Sequence, residues 1–204
     1  MKVVAVSEFL PAVRRLINIP FVPLLEDAIV ESARTFCRES KIVFISRSFD
    51  SVLTEQHISV VESSSDNRLS GLNIKASNLE RITAQTTNGE VLDLEPEVNY
   101  HQLSRDRLTF ITAHSNVTII STVEPTNGAT KLPQVLYEDY LRAIAHGAVA
   151  ILYAQPDKDW FNPDMAGYYE RLFVEGYRES ARFRLDASPQ ITRPVKRARN
   201  REFF

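Results

Sequence analysis

The sequence has a single cysteine, Cys37, so it can form no internal disulfide and offers no second thiol for a thiolate metal site. Histidine is also scarce: His57, His101, His114 and His146 stand far apart, and no two have the i, i+3 or i, i+4 spacing of a helical metal site. No metal is expected. Glycines occur singly, so there is no Gly-rich loop to cradle a phosphate, and Gly71, Gly89 and Gly128 fall in turn-like contexts. A G-x-S-x-G elbow is missing, and Ser63-Ser64-Ser65 reads as a loop. No apolar run approaches the roughly 20 residues of a membrane span. The opening MKVVAVSEFLPAVRRL lacks an apolar core followed by a small-residue cleavage site, so neither membrane insertion nor a signal peptide is expected, and synthesis in a cytoplasm follows.

These absences leave little to build catalysis from. Cys37 lies in ESARTFCRES, where helical periodicity makes it a small half-buried hydrophobe rather than a nucleophile. His146, in AIAHGAVA, reads as a hydrogen-bonded packing histidine. Two carboxylate pairs are close in sequence, Glu138 with Asp139 and Asp157 with Asp159. Adjacent helical positions do not face one another, and the second pair falls in an exposed turn. No catalytic residue, no cofactor and no enzymatic activity are expected.

Hydrophobic residues make up 44% of the 204 and charged residues 25%, which is enough for one packed core and excludes a disordered chain. Apolar spacing divides the chain into helices, strands, helices and a tail. Ser7 and Glu8 precede a short helix candidate in FLPAVRRLIN, with Pro11 tolerated in its first turn. A longer helix is expected over 23–40, where Leu25, Ala28, Ile29, Ala33, Phe36 and Cys37 recur at helical spacing. From Ile42 to Glu124 the period changes to two. KIVFISRSF and HISVVES are strand candidates there. Asn88-Gly89 predicts a two-residue type I′ hairpin, and a second hairpin is expected to turn at Ser115 and Asn116. LPQVLYEDYLRAIAHGAVAILYAQ then predicts one helix ending near Gln155-Pro156, with Leu136, Tyr140, Ile144, Ala148 and Ile151 on one face. A further helix starts at Asn162 (N-cap) and Pro163.

The reading is α+β: a helical bundle formed by both chain ends, an inserted antiparallel β domain and an extended C-terminal arm. Its segments are 1–41 (N-terminal helices), 42–130 (β domain), 131–186 (long helical hairpin) and 187–204 (basic arm). Trp160, Phe161, Asn162 and Pro163 form the most sharply shaped motif, read as a hydrophobic staple that fixes the hairpin angle. Tyr168, Tyr169, Phe173 and Tyr177 read as core or subunit interface, and Gly147, Ala148, Gly167 and Gly176 as points of close helix approach or of a face thinned where another subunit packs. In the arm, Arg193, Lys196, Arg197, Arg199 and Arg201 face only Glu202, which leaves the rest of the chain net acidic. Pro189 and Pro194 interrupt any helix there, and the arm finishes with Phe203 and Phe204.

The segments PLLEDAIVESARTFCRES and LPQVLYEDYLRAIAHGAVAILYAQPDKDWFNPDMAGYYERLFVEGYRESAR, separated by a β run, resemble the head-to-tail adaptor (connector) and tail-tubular proteins of tailed phages. The likeness covers 20–44 and 132–186. Where relatives often carry a tryptophan soon after the first long helix, Ile42, Val43 and Phe44 stand here. The resemblance implies a structural virion protein of the phage neck, assembled in the host cytoplasm as a dodecameric ring below the portal. It further implies three contacts: the portal protein, a downstream tail or nozzle protein, and transiently the DNA passing at ejection. An acidic channel wall would keep that DNA from sticking. The arm would be the portal-binding element, through Arg193, Lys196, Arg197, Arg199, Arg201, Phe203 and Phe204. Two alternatives stand beside this: another neck or tail-completion component, and a nucleic-acid-binding module whose arm holds phosphates in a salt-sensitive way.

Overall fold

The computed structural model describes residues 2–61, 73–86 and 88–187. Strand β1 (Val3–Ala5) leads through a 3-10 turn into the short helix α1 (Leu10–Arg14), and α2 (Val22–Ser40) follows. Pro23 stands in the first turn of α2, where its missing N–H leaves no helical bond unmade. The helix ends where Lys41 turns left-handed (φ 55°) and donates its N–H to the Cys37 carbonyl at 2.9 Å. Ser40 closes the same end, its hydroxyl donating to the Phe36 carbonyl at 2.7 Å. Leu25, Ala28, Ile29, Ala33, Phe36 and Cys37 are all buried, the stripe their spacing predicted.

Among the described residues, nine strands separate or flank the helices. A four-stranded antiparallel sheet has the order β2 (Phe44–Val52), β8 (His114–Pro125), β4 (Ile74–Gln85) and β5 (Val91–Asp93). A three-stranded antiparallel sheet has the order β3 (His57–Ser59), β7 (Arg107–Phe110) and β6 (Tyr100–Gln102). Strand β8 is the spine of the larger sheet, pairing with β2 from Phe44↔Thr122 to Val52↔His114 and with β4 through two register shifts. Val117, Ile119, Ser121 and Val123 bury one face of it, and α2 packs against it. Near its end Thr122 and Glu124 are buried too, so this half of β8 is covered on both faces.

The second expected hairpin does not form. Ser115 and Asn116 lie inside β8 rather than at a turn, and β7 and β8 belong to different sheets, so residues 111–113 are the bend between sheets. Asn116 is left-handed (φ 48°) within the strand. The first hairpin exists with a different turn: the Gly89 N–H bonds the Thr86 carbonyl at 2.9 Å, and Thr86 bonds Glu90 at 2.8 Å. Asn88 and Gly89 are therefore the last two residues of a four-residue turn, not its central pair. Gly89, at φ 83°, supplies the left-handed residue that a three-residue hairpin loop needs.

The chain returns through β9 (Lys131–Pro133), which pairs antiparallel with β1, Val3 opposite Pro133. The β1 strand of this short pair precedes the helices of the N-terminal segment. The expected single helix is two, α3 (Gln134–Glu138) and α4 (Leu141–Tyr153). The break at Asp139-Tyr140 lets the pieces serve different neighbours: Tyr137 packs edge-on against Phe9 at 5.4 Å, and Tyr140 packs on Phe36 at 5.0 Å. Helix α5 (Pro163–Ala187) runs back along α4 and also touches α2.

Gly147 and Gly176 set the spacing of α2, α4 and α5. A Cβ on Gly147 would lie 2.8 Å from the Phe173 ring, and one on Gly176 would lie 2.7 Å from the Ala143 Cβ. The space beside Gly147 admits Ser32, whose buried hydroxyl donates to the Ile144 carbonyl at 2.8 Å. A Cβ on Gly167 would meet nothing within 4 Å. One buried apolar cluster runs through the bundle and both sheets, with Phe9, Phe36, Phe110 and Leu136 among its fully buried side chains. Burying each contributes about 1.5–3 kcal/mol.

Candidate functional site

The hairpin turn between α4 and α5 is built as a cap. Asn162 Oδ1 accepts the Met165 N–H at 3.1 Å and the Asn162 carbonyl accepts the Ala166 N–H at 2.9 Å, with Pro163 in the first helical position. Asp164 adds a carboxylate to the positive end of α5. The two aromatics before the cap divide. Trp160 packs half-buried against the core while its indole N–H is buried without a partner among the described residues, and Phe161 is 48% exposed.

Charge is concentrated where the sheet meets the bundle. Glu124, fully buried at the end of β8, accepts a two-pronged bond from Arg38 of α2, both at 2.9 Å. The Lys75 Nζ of β4 stands 3.1 Å from the same carboxylate. Burial alone would raise the Glu124 pKa, but the bonds and charges of Arg38 and Lys75 outweigh it and hold the carboxyl below its ordinary range. A second cluster lies beside it: Glu80 of β4 takes Arg184 of α5 at 2.9 Å and Lys41 at 3.4 Å. Here too burial opposes the bonds from Arg184 and Asn78, and the net direction is down. The two carboxylates tie α2, α5 and the larger sheet together. Nothing in the period-two pattern of STVEP singled out Glu124; the one available signal was a charged residue in a run otherwise fit for burial.

Cys37 is buried beside Glu124, and burial, then that negative charge, push its thiol far up, so it is inert at neutral pH. His146 packs against Tyr169, ring centres 5.6 Å apart, in place of the expected hydrogen bond. Burial, then Arg142, lower its pKa. Tyr169 and Phe173 are core, Tyr177 is half-buried, and Tyr168 is 47% exposed. Among the described residues no group of three or more His, Cys, Asp or Glu side chains could hold a metal ion, and no helix is long and apolar enough to cross a membrane.

Two surface features remain. A groove of about 480 Å³ runs between α4 and α5, with Ala143, Leu172 and Gly176 along it and Asp139, Glu175 and Glu179 at its rim. Phe44, Leu53, Val91, Phe183 and Leu185 are large apolar side chains open to solvent on the sheet and on the last turns of α5. The arm residues Arg193, Lys196, Arg197, Arg199, Arg201, Phe203 and Phe204 lie outside the described residues, as do Gly71 and the Ser63–Ser65 loop.

No protein-family model matches the sequence, and no curated protein does. Among solved structures, a chain from the "Neck of empty GTA particle computed with C6 symmetry" is similar at 11% identity, over 78% of this chain and 86% of that one, with a TM-score of 0.30.

Proposed function

We propose that the chain is a structural component of a tailed-phage neck, a head-to-tail adaptor that forms a closed ring below the portal. The observation that supports this most directly is the architecture: α2, α4 and α5 form a bundle interrupted in sequence by an antiparallel β domain. That is the arrangement implied by the adaptor-like segments at 20–44 and 132–186. Charge supports it too. An acidic body with an arm of five cations and two terminal phenylalanines has unlike surfaces, as a head-to-tail ring contact and a separate docking contact require. The ionic clusters at Glu124 and Glu80 suit such a part, since they fix the angle between β domain and bundle.

In this reading the arm is the portal-binding element. Its arginines find carboxylates and Phe203 and Phe204 fill an apolar pocket on the portal. The body presents its exposed apolar residues to neighbouring copies and to the tail protein below. A dodecamer follows from the family resemblance, whereas the six-fold symmetry of the GTA neck belongs to that particle. The native mass of the ring separates six copies from twelve.

The test is to mix purified portal rings with the full-length protein and with a chain truncated after Ala187, and to measure what co-sediments. Full-length protein is expected to bind at fixed stoichiometry, and the truncated, still-folded body is not. Normal decoration by the truncated chain removes the arm's role. Loss of salt-sensitive DNA binding alone would put the nucleic-acid reading in its place.

A further inference from the structure

The groove between α4 and α5 carries three carboxylates, Asp139, Glu175 and Glu179, and none has an ion-pair partner among the described residues. Glu175 and Glu179 are four apart on α5, a like-charge spacing that destabilises a helix. Arg142 is the one cation on the lining. Ser180 supplies an independent sign of a missing ligand. It lines the groove and is 1% exposed, and its hydroxyl has no hydrogen-bond partner among the described residues. Such an orphan is destabilising unless something reaches it. At the open end Phe183 leaves 63% of its surface in water. The groove therefore asks for an occupant with several cations, a hydrogen-bonding backbone and aromatic side chains.

The chain holds one segment of that chemistry. We propose that the groove is the resting site of this chain's own C-terminal arm, with Arg193, Lys196 and Arg197 against Glu175, Glu179 and Asp139, and Phe203-Phe204 on the apolar floor. The lengths agree. Glu179 lies about 12 Å back along α5 from Ala187 at 1.5 Å per residue. Residues 188–192 span at most about 17 Å when extended, which is enough for Arg193 to reach Glu179. Tethering favours the chain's own arm over a neighbour's, because a short linker gives an effective concentration in the mM range. The inference rests on the reading that the arm is a docking element. It adds that the free subunit keeps the arm masked, so portal carboxylates must displace it from the groove.

The experiment uses the full chain carrying Asn200→Cys with a nitroxide on the new thiol, since Cys37 is buried and inert. In ¹⁵N-labelled protein the amide signals of 175–183 are expected to be lost. They return when the nitroxide is reduced, and also in Glu175→Gln/Glu179→Gln. A second variant, Lys196→Gln/Arg197→Gln, changes only the arm and must restore them too. A mixture of nitroxide-bearing unlabelled protein with ¹⁵N protein lacking the label must leave them intact. Retained signals in the first sample, or broadening only in the mixture, overturn the proposal. Portal co-sedimentation of the same samples is read in parallel: portal binding without broadening refutes the resting site alone, and broadening without portal binding refutes the adaptor reading.

Discussion

Replacing Arg38 with alanine leaves the Glu124 carboxylate, with none of its side chain exposed, facing only Lys75 at 3.1 Å. Removing one partner of a buried pair costs about 3–5 kcal/mol. Two features reduce this: Lys75 stays, and the Arg38 side chain is itself 42% exposed, so solvent screens part of its attraction. About 2 kcal/mol remains, which for a chain of this size lowers Tm by roughly 4–8 °C. The pH dependence separates charge from packing. In the native protein the Glu124 pKa is depressed, so its contribution is fully present above the ordinary glutamate value, about 4.3, and is lost as pH falls through the lower folded value. In Arg38→Ala burial is less opposed and the carboxyl pKa rises, so the variant's deficit is largest near pH 7 and shrinks as pH drops toward 4. Thermal melts of both proteins from pH 7.5 to 4 measure this. A Tm change below about 1 °C at pH 7, or a deficit that stays constant with pH, refutes the argument that Glu124 is held by Arg38.

Trp160→Ala is expected to cost about 2 kcal/mol, less than a fully buried aromatic because the ring is half-buried. Trp160→Phe should be close to neutral, since it keeps the apolar contact and removes an unpaired indole N–H; denaturant melts decide. Gly176→Ala should destabilise by about 1–3 kcal/mol despite alanine's better helix propensity, because the added methyl meets the Ala143 Cβ at 2.7 Å; an increase in Tm would show that α4 and α5 yield there. Truncation after Ala187 should leave the helical circular dichroism of the body in place while portal co-sedimentation is lost.

Long periodic elements were legible in the sequence because their burial is local. Leu25 to Cys37 gave α2 to within one residue at its start, and Asn162-Pro163 gave the start of α5 through capping chemistry that needs no tertiary partner. The illegible features all depend on distant residues. β1 and β9 are three residues each and exist through one another, across the whole β domain. The break at Asp139-Tyr140 answers to Phe9 and Phe36, more than 100 residues earlier. β7 and β8 read as a hairpin because two alternating runs adjoin, yet the choice of partner strand lies in β2, β3, β4 and β6. Glu124 shows its importance only when Arg38 and Lys75 are brought to it. The acidic groove likewise joins residues on two helices that the sequence separates by more than thirty positions.

The central claim is that the chain is a ring in the neck of a phage particle. Quantitative mass spectrometry of purified particles, with the portal protein as internal standard, tests it most directly. The account predicts the chain in every preparation at a fixed ring number, twelve copies per particle. Its absence from particles, or a copy number that varies between preparations, would contradict the account.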